Sequence, residues 1–85
     1  MPRALTIQRS TVPIAEREKY LEALKGKRAH YLAANCRFWV FEEASLSGAF
    51  IEFTESDDEN ALAAAHESAS HRILDPTRIY RELEL

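Results

Sequence analysis

Arg37-Phe38-Trp39-Val40-Phe41-Glu42-Glu43 and Gly48-Ala49-Phe50-Ile51-Glu52-Phe53-Thr54 decide the fold of this chain. Both stretches have the aromatic and β-branched content of strands, whose successive side chains point to opposite faces. In the first, Phe38 and Val40 share one face and Trp39 and Phe41 the other; in the second, Ala49, Ile51 and Phe53 lie opposite Phe50. Strands that are apolar on both sides need cover on both sides. A chain of 85 residues can lay helices over one face of such a sheet and has little left for the other. The bare face is therefore expected to meet a second molecule or a ligand.

Between the two stretches, the first of which runs to about Ala44, Ser45-Leu46-Ser47-Gly48 reads as a short turn and predicts an antiparallel hairpin. Upstream, Ala4 to Thr11 alternates, with Leu5 and Ile7 on one side and Thr6 and Gln8 on the other. Pro13 stops that strand and suits a first helical turn. From Glu16 to about Ala34 the residues Tyr20, Leu21, Leu24, Tyr31 and Leu32 recur near helical spacing, and Asn35 follows as a left-handed cap. Lys25-Gly26-Lys27-Arg28 reads as a solvated face of this helix near its C-terminal end. Downstream, Ser56-Asp57-Asp58-Glu59 has the form of a capping box opening a short, alanine-rich helix with Leu62, Ala65 and Ala69 in one stripe. Asp75-Pro76 breaks the chain, and Arg78 to Leu85 alternates as a fourth strand. The order βαββαβ predicts an α+β, ferredoxin-like domain spanning residues 1–85, with a four-stranded antiparallel sheet and both helices on one face.

Net charge is −3, from 14 acidic and 11 basic residues, which argues against nucleic acid or an anionic membrane as partner. Cys36 is the only cysteine, so no internal disulfide can form; a reducing, cytoplasmic setting is expected and the thiol reads as buried and inert. The first residues carry no apolar stretch of leader length, and no run approaches transmembrane length. One cysteine and three scattered histidines offer no zinc site. No phosphate-binding glycine loop or nucleophile elbow is present. Gly48 to Phe53 is similar to the central strand of an RNA-recognition motif, but the first strand brings no ring and the net charge is negative.

The apolar residues predict that Leu5, Ile7, Phe38, Val40, Ala49, Ile51, Phe53, Ile79, Leu83 and Leu85 turn toward the helices. Thr6, Gln8, Arg37, Trp39, Phe41, Phe50, Glu52, Thr54, Arg78, Tyr80 and Glu82 then occupy the outer face. A slip of one residue in a strand would exchange its faces. The outer face is too aromatic to lie open to water. Either two sheets stack about 10 Å apart around a packed aromatic core, or they enclose a cavity lined by Trp39, Phe41, Phe50, Glu52 and Tyr80 that takes a small aromatic or hydrophobic metabolite. Both readings make the protein a homodimer joined sheet to sheet.

The element order, Phe38-Trp39-Val40-Phe41-Glu42-Glu43 with its hairpin to Gly48-Ala49-Phe50-Ile51-Glu52-Phe53, and Leu62-Ala63-Ala64-Ala65-His66 leading to Ser70-His71-Arg72 together resemble the dimeric α+β barrel superfamily. Within it, the chain is similar to the small antibiotic-biosynthesis-monooxygenase-like domains. That resemblance implies a sheet-to-sheet dimer and, among several activities, cofactor-free oxygenation of aromatic compounds. Such chemistry needs a base for a phenol-like substrate and donors for the resulting anion. On this resemblance His66 or His71 would be the base, with Arg37, Trp39 and Tyr80 binding and polarising the substrate, and no cofactor or metal taking part.

Overall fold

The computed structural model describes residues 2–69 and 78–85. Strands β1 (Ala4–Thr11), β2 (Arg37–Glu42), β3 (Ala49–Ser56) and β4 (Tyr80–Arg81) form one antiparallel sheet in the order β2-β3-β1-β4. Helix α1 (Arg17–Ala33) follows a 3-10 turn at Ile14–Glu16, and α2 (Glu59–Glu67) links β3 to the last strand region. Both helices pack on the same face, because the side chains they bond, Glu52 from α1 and Thr6 from α2, belong to neighbouring same-face rows of the register. The arrangement is α+β and compatible with a ferredoxin-like fold.

The hairpin loop sets the register. Glu43 N–H donates to the Ala49 carbonyl at 2.9 Å, leaving a five-residue loop, 44–48, where a four-residue turn was expected. One extra loop residue shifts the pairing by one, so Trp39 stands opposite Phe53 and Phe38 opposite Thr54. Ile7 pairs with Phe53 and Thr6 with Thr54, so β1 turns with β3. The expected faces of β1 and β3 are therefore exchanged. Leu5, Ile7, Ala49, Ile51 and Phe53 lie on the open face, while Thr6, Gln8, Phe50, Glu52 and Thr54 lie under the helices. The expected faces of β2 are correct: Phe38 and Val40 turn inward, Trp39 and Phe41 outward.

Gly48 closes this loop at φ +91°, and its Cβ, if present, would sit 2.5 Å from the Val12 carbonyl oxygen. Val12 N–H donates to the Gly48 carbonyl at 2.8 Å, which pins the loop against the end of β1. Gly48→Ala would combine an unfavourable left-handed backbone with a main-chain clash, and chemical denaturation should show a loss of about 2 kcal/mol.

α1 ends as expected, with Asn35 at φ 62°. The second cap differs from the expected capping box. Ser56 is still paired to Ala4 as the last residue of β3, so the cap passes to Asp58, whose carboxylate accepts from Asn60 N–H at 2.9 Å. The fourth strand is also shorter than expected. Tyr80 pairs with Leu5 and Arg81 with Ala4, and Glu82 N–H then reaches the Arg3 carbonyl at 2.8 Å. Leu83 and Leu85, expected to face the helices, are instead exposed. Ala4, Tyr31, Cys36, Leu62 and Ala65 form the buried core cluster, against which Phe38, Ala69 and Ile79 pack. Among the described residues no helix is long and apolar enough to cross a membrane.

Candidate functional site

The layer between helices and sheet is unusually polar for so small a domain. Along α1, Tyr20, Leu24, Lys27 and Tyr31 share one face at spacings of four, three and four residues. That face meets Glu52 at the centre of the sheet. Glu52 is only 5% exposed, and its carboxylate accepts from Tyr20 OH at 2.8 Å and from Lys27 Nζ at 2.9 Å. Lys27 is thus turned inward, with its side chain 12% exposed, rather than solvated as its run of basic neighbours suggested. A buried carboxylate is tolerated because a cation and a hydroxyl share it. Burial, reinforced by Glu52, drives the Tyr20 hydroxyl pKa well above its ordinary value.

One strand away, α2 supplies His66. Its Nδ1 lies 2.7 Å from Tyr31 Oη and its Nε2 lies 2.7 Å from Thr6 Oγ1. Each hydroxyl can donate or accept, so the ring can be held as either neutral tautomer or as imidazolium without losing a hydrogen bond. Tyr31 is 1% exposed and stacks on Phe38 with ring centroids 5.5 Å apart. Burial pushes its hydroxyl up to about 12, with the Glu52 carboxylate adding to the rise. Tyr31 therefore stays protonated as a donor. Gln8 sits on β1 opposite Glu52 and two residues from Thr6, between the two polar groups. Its Oε1 is buried with no hydrogen-bond partner among the described residues, an omission that typically costs about 1–3 kcal/mol. The polar groups gathered in this layer are thus the His66 ring, bonded at both nitrogens, the protonated Tyr31 hydroxyl and the Gln8 amide oxygen.

The structure divides the residues expected to form one site. His66, Phe50 and Glu52 lie under the helices. Phe50 is a core residue there, with its ring 4.7 Å from that of Tyr20 and the Arg17 guanidinium 5.4 Å from its centroid. Trp39, Phe41 and Tyr80 lie on the open face, with Trp39 and Phe41 on one edge strand and Tyr80 on the other. Arg37 also lies on the open face, paired with Glu55 and with Asp57, and so is on the opposite side of the sheet from His66. His71 lies outside the described residues. Tyr31, Thr6, Gln8, Tyr20 and Lys27 were missed as site residues. The helical spacing of Tyr20, Lys27 and Tyr31 was the available signal. Cys36 is buried, and burial raises its thiol pKa, in keeping with an inert thiol. Among the described residues no group of three or more His, Cys, Asp and Glu could hold a metal ion.

At the rim of this layer Arg17 grips Glu42 with two bonds, at 2.6 and 2.9 Å. The guanidinium, helped by the Gly48 N–H, holds the Glu42 carboxyl down to about 2. A carboxylate whose folded pKa is depressed stabilises the fold above its unfolded pKa and ceases to do so as pH falls toward the folded value. Thermal unfolding should therefore lose stability between about pH 4.5 and 2, and Arg17→Met should flatten that part of the profile.

No family model, curated protein or solved structure matches this chain.

Proposed function

We propose that the protein is a homodimer joined through its open sheet faces, and that each subunit binds a small aromatic or hydrophobic metabolite bearing a hydroxyl or amine on the helix side of the sheet. The observation that carries this reading is the inverted polarity of the sheet. The row Ile7–Phe53–Trp39 and its neighbours Leu5, Ile51 and Phe41 face outward, while Thr6, Gln8, Glu52 and Thr54 face inward. Trp39 and Phe41 are 42% and 56% exposed, in a patch that a lone subunit would present to water. With these apolar rows at the middle of the open face, this reading makes the space between two copies a packed core. The polar side chains Thr6, Gln8, Tyr31 and His66 lie on the other side, and this reading puts the ligand with them rather than between the sheets.

A second reading, cofactor-free oxygenation, is favoured by the Tyr31–His66–Thr6 relay. His66 would take a proton from a phenolic ring system and Tyr31 would donate to the resulting oxyanion. Dioxygen would convert the ring C–H para to that oxygen into a carbonyl, giving a quinone: one oxygen atom stays on the ring and the other leaves as water with the ring hydrogen and the phenolic proton.

Light scattering across micromolar concentrations tests the assembly, with a dimer expected and a monomer rejecting it. Calorimetric titration with phenol, catechol and a dihydroxynaphthalene tests the site. Binding in the wild type that is lost in His66→Phe and Gln8→Leu supports it, and no binding by the folded wild type rejects it. Oxygen uptake with the same compounds, reduced at least about 100-fold in His66→Phe, would carry the second reading.

A further inference from the structure

At one end of the open face, charged side chains follow one another across the whole sheet. Glu82 from the β4 edge bonds Arg3 beside β1 at 2.7 Å. Arg3 reaches Glu55 on β3 at 3.1 Å, and Glu55 pairs with Arg37 on β2. Asp57, just beyond β3, adds a second acid, 2.7 Å from Arg37. Read strand by strand from β4 to β2, the signs are minus, plus, minus, plus. Arg3, Arg37 and Glu82 keep 55%, 42% and 43% of their side-chain surface exposed, so the row still projects a field outward.

Such a row has a property that an apolar patch lacks. Reversed end for end, it becomes its own complement: plus lies over minus at every strand. Two sheets facing each other across a two-fold axis that runs parallel to the strands, midway between β3 and β1, undergo this reversal. The β2 strand of one copy then lies over β4 of the other, and β3 over β1. An axis perpendicular to the strands would instead carry the row to the far end of the face, where Phe41, Ile51 and Arg9 lie, and leave it unmatched. Stacked sheets stand about 10 Å apart, a gap that one arginine and one glutamate reaching toward each other can span.

We propose that a second copy of this chain docks on the open face with its two-fold axis parallel to the strands, and that the alternating charge row selects this orientation. The inference rests on the dimer reading given above and adds its geometry. The apolar rows supply the attraction. The charges supply the register, since like charges brought face to face oppose the alternatives. In this arrangement Arg37 of each copy meets Glu82 of the other.

The test uses two full-length variants, Arg37→Glu and Glu82→Arg, both at exposed positions on opposite edges of the sheet. Each alone places like charges at both ends of its own dimer and should raise its dissociation constant about tenfold or more. Mixed one to one, they restore both contacts. Native mass spectrometry of the mixture should show the heterodimer at well above the statistical half. A statistical distribution overturns the orientation while leaving the dimer intact. A wild type that stays monomeric overturns the dimer reading and this inference with it. Independently of any variant, raising salt from about 50 to 500 mM should weaken the wild-type dimer several-fold, as screening shortens the reach of the row. A dimer that salt leaves unchanged or strengthens overturns the charge-set register.

Discussion

Lys27→Met should destabilise the protein by about 3–5 kcal/mol, because it strips the cation from a carboxylate that stays buried. For a domain of this length, total stability is on the order of 4–13 kcal/mol, so the variant stands near the edge of folding. Among the described residues, Glu52 would then keep the Tyr20 hydroxyl as its partner. Urea denaturation at neutral pH reads the loss. Adding Glu52→Leu to the same chain should recover most of the loss, since an apolar pair of similar volume often replaces a buried ion pair without penalty. A loss below about 1 kcal/mol for the single variant would mean that the pair is solvated.

On the proposed sheet-to-sheet assembly, Phe53→Asp should give a monomer while leaving the subunit folded. Phe53 lies on the open face between Ile7 and Trp39, and its ring meets that of Phe41 at 5.8 Å in an edge-on contact. Burying a phenylalanine contributes about 1.5–3 kcal/mol, and enclosing an unpaired carboxylate in its place adds a cost of several more. A rise of at least about 1,000-fold in the dissociation constant follows from those two contributions. Sedimentation velocity reads the change, and an unaltered far-ultraviolet circular dichroism spectrum confirms that the sheet persists. A Phe53→Asp protein that still sediments as a dimer places the interface elsewhere.

Element order and strand identity were legible because Phe38 to Phe41 and Phe50 to Phe53 have the aromatic and β-branched content of strands and are separated by a turn-like stretch. The faces were not. Alternation with period two says which residues share a side, not which side the helices cover. Matching apolar residues to helices gave the wrong answer for β1 and β3, since the helices here cover the more polar side. The one-residue discrepancy arose in the loop before Ala49, where Ser45-Leu46-Ser47-Gly48 has the composition of a four-residue turn and the chain uses five. Lys27 was misplaced for a related reason: flanked by Lys25 and Arg28, it resembles them in composition, and only its spacing from Tyr20 and Tyr31 shows that it turns inward. His66 was legible as a candidate but its partners were not, because Thr6 and Tyr31 are 60 and 35 positions away in the chain and meet it only through the fold.

The inverted polarity of the sheet has a practical consequence for handling the protein. Reporter dyes that brighten on oily surfaces are commonly used to watch proteins melt, on the premise that the native state is dark. A lone subunit that carries its rings outward would brighten such a dye while fully folded, and on the proposed assembly dilution alone would produce the signal that heating is meant to produce. Purity and integrity of this chain are therefore better followed by amide exchange or by the near-ultraviolet signal of Trp39 than by any stain for exposed grease.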